Sequence, residues 1–460
     1  MSVLKKVWMA VTSAALGLLL SLQPAWSQSF LSDAETEHFL RETMRPIFVV
    51  AGLEPRSVRF FIINDPSLNA FVAAGQNIFI HTGLILQTDN VGQVIGVLAH
   101  ETGHITGGHN VRRQEGVQKP TAIAIASMLL GVAAIAAGAG DAGIGIISGG
   151  QQAATRSYLS FSRAQESSTD QAGARFLEKA GLSGRGMVET FRKFATSEYL
   201  IGVPQDPYVR THPLSSDRVA RLEAVVSRSP YYDKPDDPHA VAAYERIKGK
   251  IEGFLFAPDA TLRKYPASNG SVRARYARAY AYHKAVEIDK SMAEIDSLLG
   301  ETPDDPYYLE LKGQLLLENG LVREALAPLR RAVEVFPDEP QIRTLLGRTL
   351  LATEDPALRK EAIYELERAV DMDEESPFTW YQLGIAYNLE GDQGSASLAA
   401  AFQAAMSGQL APTLINARRA VEMLPKGTPK WQRAQDLLVD AQNYMEDNDI
   451  KPEEMDKRRH

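Results

Sequence analysis

The chain has 460 residues, 45% hydrophobic and 23% charged, with a formal net charge of −8 and no cysteine. That length allows two or three domains with ordinary cores. The acidic balance without a long basic run excludes a nucleic-acid binder and points to protein substrates, while the lack of cysteine excludes disulfides and a lipid-modified thiol.

Lys5 and Lys6 precede an uncharged run from Val7 to Leu22, followed by Pro24-Ala25-Trp26-Ser27. A charged start, an apolar stretch and a small-x-small step make residues 1–27 a signal peptide, with the mature chain beginning at Gln28. The apolar run is short for a permanent membrane span. Residues 28–228 mix helix and strand periods and hold most of the histidines, which marks the catalytic region. Residues 229–239 are polar and proline-rich and read as a linker. Residues 240–450 carry helical spacing almost throughout, and residues 451–460 form a charged tail.

Within the catalytic region a helix is expected from Val91 to Arg112, opened by Asp89 or Asn90 as cap, with Val94, Val97, Leu98 and Ile105 toward a core. His100 and His104 then lie one turn apart on one face, where two imidazoles can grip one Zn²⁺ at about 2.0–2.1 Å. Glu101, about a quarter turn away, can take a proton from a water beside the ion. Two ordinary histidines on a helix would not explain why a polar trio interrupts an apolar stripe.

Zinc hydrolases need a third protein ligand. A metzincin would place histidine at position 110; Gly107 fits that pattern, but residue 110 is Asn. His109 is one position out of register, turned by about 100° on a helix, and is expected in a surface or structural role. The better candidate lies in Phe161-Ser162-Arg163-Ala164-Gln165-Glu166-Ser167-Ser168-Thr169-Asp170. Ser162 with Gln165 makes a capping-box signature, so a helix is expected from there to Ala180, closed by Gly181. Glu166 and Asp170 share one face of it. Beside two histidines they read as a metal ligand and as the acceptor for a ligand histidine; Arg163 keeps open a solvated, ion-paired face.

Residues 119–155 form an Ala/Gly-rich segment, uncharged from Pro120 to Gly140 and again from Ala142 to Thr155. Its length would permit a span, but Gly138, Gly140, Gly143 and Gly145 weaken a single helix. A hairpin covering the active site or touching a membrane is expected.

Further on, Ala279, Gly313 and Gly347 are 34 residues apart and Gly384 follows after 37. That period resembles the tetratricopeptide repeat, with three extra residues near Asp355-Pro356 in one copy. Stacked helix pairs of this kind give a solenoid with a concave groove for peptides or proteins.

Taken together, His100-Glu101-x-x-His104, Ser162-Arg163-x-x-Glu166-x-x-x-Asp170 and the run Asn69-Ala70-Phe71-Val72-Ala73-Ala74-Gly75-Gln76-Asn77-Ile78-Phe79-Ile80 resemble the HtpX and CAAX-prenyl endopeptidase family. The signal peptide and repeat array resemble its periplasmic branch, and the likeness covers essentially the whole mature chain. Two positions depart from the family pattern: Thr169 where Ala is more usual, and Ala74 where a second Gly is common. The resemblance implies an α+β gluzincin-type metalloprotease domain, mostly helical with a small sheet, followed by an all-α tetratricopeptide-repeat solenoid. It implies one Zn²⁺ held by His100, His104 and Glu166, with Glu101 as general base and Asp170 behind a ligand. An edge strand around Asn69, Ala70, Phe71, Asn77, Ile78 and Phe79 would pair with substrate backbone, with little regard for side chains; an ordinary internal strand is the alternative.

The resemblance also places His212 near the metal, either stabilising the oxyanion or occupying the open zinc position. Pro213 holds it extended, ahead of a helix capped by Ser215 or Ser216. The implied function is a zinc endopeptidase in the periplasm of a Gram-negative bacterium, peripheral to the outer membrane. Its substrates would be misassembled outer-membrane proteins, and the array would dock on the barrel-assembly machinery. The other reading is a chaperone or adaptor in which the array acts and the zinc site stays idle.

Overall fold

The computed structural model describes residues 30–109, 124, 126–128, 130, 140–198, 212, 216–448 and 450. The stretch expected as a signal peptide, the charged tail and most of residues 119–139 lie outside the described residues. The chain divides into two compact units, one around Thr36–Ile251 and another from Glu252 onward that also takes in Asp33–Glu35.

The first unit begins with β1 (Phe30–Leu31) and α1 (Ala34–Val50), then β2 (Arg59–Ile63), β3 (Ala70–Ala73) and β4 (Asn77–His81). These four strands form one sheet in the order β1-β2-β4-β3. β2 and β4 run parallel with Phe61 opposite Phe79, whereas β3 and β4 form an antiparallel hairpin with Phe71 opposite Phe79. The alternation is that of a sheet buried on one face, with Phe60, Ile62, Val72, Ile78 and Ile80 inward and Phe61, Phe71 and Phe79 on the other side. The hairpin turns through two left-handed residues, Ala74 (φ 48°) and Gly75 (φ 91°). That backbone suits glycine, so the Ala74 departure carries strain. β1 and β3 are the outer strands, and among the described residues no strand pairs with the far side of β3. β4 lies between β2 and β3, so Asn77, Ile78 and Phe79 belong to an internal strand whose backbone is already paired, and the substrate-strand expectation is corrected to β3 alone.

After α2 (Thr82–Gln87) comes α3 (Val91–Thr106), the helix of the histidines. Asn90 is its cap, its side chain accepting from the Gln93 amide at 2.9 Å. The helix stops short of the expected Arg112, because Gly107 caps it and Gly108 turns left-handed at φ 62°. Glycines let α3 approach α4 (Gly140–Lys179) and α5 (Arg185–Glu198) backbone to backbone. A Cβ on Gly186 would sit 2.2 Å from the Gly92 carbonyl carbon, and one on Gly173 would be 3.1 Å from that of Ala99. α4 has 40 residues and runs straight through Ser162, which corrects the expected start there. Ser and Gln at capping-box spacing are tolerated inside a helix when the preceding residues are helical too. Its end agrees with expectation, with Gly181 left-handed at φ 68°. Residues 140–155 of the Ala/Gly segment are the first turns of α4, and Ser127 packs directly on Gly150. Among the described residues no helix is long and apolar enough to cross a membrane.

α6 (Ser216–Val226) and α7 (Pro238–Leu255) follow. The stretch between them, expected as a linker, is tied to this unit. Lys234 Nζ donates to the Gly181 carbonyl at 2.6 Å, Ser183 Oγ to that of Tyr232 at 2.6 Å, and the Gly92 amide to Asp236 Oδ2 at 3.2 Å. α7 joins them through the Tyr244 hydroxyl and Lys248 Nζ, each donating to the Thr88 carbonyl at 2.7 Å.

The second unit is all helical: α8 (Pro258–Lys264), then the pairs α9 (Val272–Lys284) and α10 (Ile288–Glu301), α11 (Pro306–Glu318) and α12 (Val322–Val335), α13 (Pro340–Ala352) and α14 (Arg359–Met372), α15 (Pro377–Glu390) and α16 (Gln393–Met406), α17 (Leu410–Met423) and α18 (Pro429–Asp447). The repeat glycines sit where paired helices touch, since a Cβ on Gly313 would meet Leu329 Cγ at 2.3 Å and one on Gly347 would meet Leu366 Cγ at 2.5 Å. The extra residues of the third copy form a short 3₁₀ turn, Pro356–Leu358. A cavity of about 380 Å³ opens between α15, α16 and α17, lined by Tyr381, Asn388, Gln393 and Arg419 among others.

Candidate metal centre

His100 and His104 leave α3 on the face that meets α4, where Glu166 waits, and His212 arrives just ahead of α6. All four side chains are buried or nearly so, and their donor atoms lie within 4.8 Å of one another. The pairwise distances say more. His100 Nε2 is 3.1 Å from His104 Nε2 and 3.3 Å from both Glu166 Oε2 and His212 Nδ1. His104 Nε2 is 3.4 Å from Glu166 Oε1, and His212 Nδ1 is 3.2 Å from that same oxygen. A tetrahedral ion with bonds of about 2.0–2.1 Å has its donor atoms about 3.3–3.4 Å apart. The separations of 3.1–3.4 Å lie near that figure, with Glu166 meeting His100 through one oxygen and His104 and His212 through the other, so the residues present suit a divalent cation.

The His100 and His104 rings are held from behind. With Nε2 turned to the donor centre, His100 Nδ1 carries the proton and faces Asp170 Oδ1 at 3.0 Å. His104 Nδ1 lies 3.0 Å from His109 Nδ1, which in turn lies 3.2 Å from Thr169 Oγ1. His109 therefore has a structural role, as expected, but for another reason: α3 has ended and the chain folds the ring back onto His104. Thr169, the departure from the family pattern, reaches that ring and also packs on Gly103.

Arg218 went unassigned in the sequence. Its Nε donates to Asp170 Oδ2 at 2.7 Å and its Nη2 to Oδ1 at 2.8 Å, a two-pronged bond. Nη2 is also 3.2 Å from Glu166 Oε2, and the guanidinium lies over the Phe191 ring at 5.7 Å. A charged residue on the same face of α6 as the buried Leu222 was the available cue.

The charges follow from these contacts. Burial pushes His100 down, but hydrogen bonds to Asp170 and Glu166 outweigh it and raise the ring to about 9. Burial, then the neighbouring His100 and His212, hold His104 well below the ordinary range. Burial works to raise Glu166 and Asp170, yet both end lowered, Glu166 by His212 and His100, Asp170 by His100 and Arg218. Glu101 differs. Fully buried, it is raised chiefly by desolvation, and neither oxygen has a well-formed hydrogen bond among the described residues. The Val72 amide of β3 faces it, and His212 Nε2 lies 3.6 Å from Oε1. A carboxylate so placed, beside the donor centre and next to the sheet's free edge, is suited to moving a proton.

Residues 34–226 match peptidase family M48, and residues 311–377 match the tetratricopeptide repeat. The chain is 26% identical to the beta-barrel assembly-enhancing protease of Yersinia pestis, over 76% of this chain and 72% of that protein. It is 29% identical to a putative beta-barrel assembly-enhancing protease of Vibrio cholerae, over 55% of this chain and 52% of that one. Against the protein of that name from Escherichia coli K12 it is 26% identical, over 59% and 56%. The match thus spans about half the length of the last two.

Proposed function

Since residues 34–226 are an M48 peptidase domain and tetratricopeptide repeats follow it, we propose that this metalloprotease is a zinc endopeptidase of the periplasm acting in the quality control and assembly of outer-membrane proteins. The donor set beside Glu101 carries this reading. His100, His104 and Glu166 would hold the ion in a gluzincin arrangement, with Asp170 and His109 fixing the two rings. Zinc bound there supplies a Lewis acid that activates water and polarises a carbonyl. Glu101 takes the proton from the attacking water and delivers it to the departing amine, a role favoured by a buried carboxylate whose affinity for a proton is raised by desolvation. His212 Nδ1 is the fourth member of the donor set, which favours its occupying the open position in the resting chain over stabilising the oxyanion.

Substrates, by analogy with the relatives' name, are misassembled outer-membrane proteins, and the repeat array would dock on the barrel-assembly machinery or its clients. The exposed Met128, Leu130 and Ile146 (55, 64 and 39% accessible) suit peripheral membrane contact. The fourth donor also favours a second reading, an adaptor whose zinc site is idle. Metal analysis and a Glu101→Gln variant test both. The expected result is about one zinc per chain, retained in the variant, with hydrolysis reduced by about 10²–10⁴. A chain that takes up no metal on reconstitution refutes the centre; a variant with undiminished biological activity favours the adaptor.

A further inference from the structure

On the sheet face opposite the buried Phe60, Ile62, Val72, Ile78 and Ile80, three phenylalanines line up across β2, β4 and β3, and Phe30 of β1 lies against the first two, 6.2 Å from Phe61 and 6.3 Å from Phe79. Phe61 and Phe79 stack with ring centroids 5.1 Å apart, and Phe79 and Phe71 stack at 5.0 Å. None of the four is buried among the described residues, and Phe30 is 61% exposed. The register explains the row, because Phe79 lies directly opposite both Phe61 and Phe71. Ring spacing near the interstrand distance of about 4.7–4.9 Å means that each added strand extends the stack by one ring.

The row ends on the free edge, and that edge leads to the catalytic centre. The Asn69 carbonyl accepts from the His81 amide at 3.0 Å, so Asn69 and Phe71 direct their backbone toward β4, while Ala70 and Val72 direct theirs outward. The outward Val72 amide is the one that faces Glu101. An extended peptide that pairs with Ala70 and Val72 therefore passes the catalytic carboxylate, and one of its residues falls opposite Phe71 on the aromatic face. The next positions on that face of β3 are Asn69 and Ala73, which offer no ring.

We propose that Phe71 is a specificity-determining residue: the edge strand selects extended segments carrying an aromatic or large apolar side chain at the single position opposite Phe71, which continues the stacked row. The occupant is a strand-forming stretch of a client protein with aromatic residues on one face, the chemistry of an amphipathic β-strand outside its sheet. Side chains thus matter at this edge, in contrast to recognition of backbone alone. This rests on the endopeptidase reading for the position of the scissile bond, but the two fail separately.

The test uses synthetic peptides of Thr/Val-rich sequence, identical except for one Phe walked along the chain. Binding is measured to the full-length Glu101→Gln protein, and cleavage by the zinc-loaded wild type. One peptide position should show an aromatic preference, with Phe→Ala there weakening binding and lowering kcat/KM by about threefold to tenfold. Cleavage should fall at a fixed offset from the Phe. Phe71→Thr, which keeps a good strand former, should flatten the preference, while Phe71→Tyr should keep it; circular dichroism and zinc content verify that both variants are folded. A flat binding profile in the parent, or a preference that persists in Phe71→Thr, overturns the proposal. If no peptide is cleaved by the wild type or by His212→Ala, the endopeptidase reading falls, and the binding profile still decides the role of Phe71.

Discussion

Replacing Arg218 with Met removes a guanidinium that is 4% exposed and that bonds both oxygens of Asp170 while touching Glu166. Two buried carboxylates then lose a permanently charged partner. Breaking a buried ion pair from one side costs about 3–5 kcal/mol, and the lower end applies because Asp170 keeps His100 Nδ1 at 3.0 Å. Asp170 relieves the strain by taking up a proton, which loosens its hold on the His100 ring, and loss of such an outer partner lowers metal affinity about 10–100-fold. Arg218→Lys keeps the charge without the fork and should fall between Met and wild type. Urea unfolding followed by near-ultraviolet circular dichroism gives the first number, and competition with a chromophoric chelator the second. An Arg218→Met protein with unchanged midpoint and unchanged zinc affinity would falsify the reasoning.

Four further outcomes follow from the same coordinates. His212→Ala should raise peptide hydrolysis if the ring occupies the open position; a fall in turnover in a peptide assay would assign it to the oxyanion instead. Gly186→Ala places a methyl 2.2 Å from the Gly92 carbonyl carbon, so α3 and α5 must part at a cost of about 1–3 kcal/mol, read as a lower denaturation midpoint together with weaker zinc binding. Ala74→Gly relieves the left-handed turn at φ 48° and should stabilise by about 0.5–1 kcal/mol; a null result in urea titration would mean that the turn relaxes. Glu252, bonded by Lys264, Arg273 and Tyr265, is held below its ordinary 4.5 despite burial. A depressed folded value means stability that is present above the unfolded value and lost as pH falls through the folded one. Glu252→Gln should therefore cost about 1–3 kcal/mol near neutral pH, and the difference from wild type should close as the medium is acidified below 4.5.

The repeat array and the histidine helix were legible because both rest on periodicity. Gly313 and Gly347 reveal their spacing without any coordinates, and Asn90 caps α3 by a local rule. Glu166 and Asp170 were legible for the same reason, as two carboxylates four residues apart with no use for each other. What failed was what depends on the neighbourhood. The capping signature at Ser162 is real chemistry, but it loses to a helix already running through it. Asn77 to Phe79 were expected at an edge from the family resemblance, yet strand order alone makes β4 internal. Phe61, Phe71 and Phe79 are ordinary strand formers until register sets them in a row. Arg218 and His109 act through Asp170 and His104, and a contact between residues 48 apart, such as Arg218 with Asp170, leaves no periodic trace.

The four donors come from three separate stretches, with His100 and His212 112 positions apart. In a chain with no cysteine, an ion held by these four side chains would do the work that disulfides do elsewhere, closing long loops of the first unit. Catalysis and cross-linking are then vested in the same atoms. A chelator would disarm the protease and unfasten its architecture in one event, leaving a loosened chain that other proteases can clear rather than an intact, inactive competitor for clients.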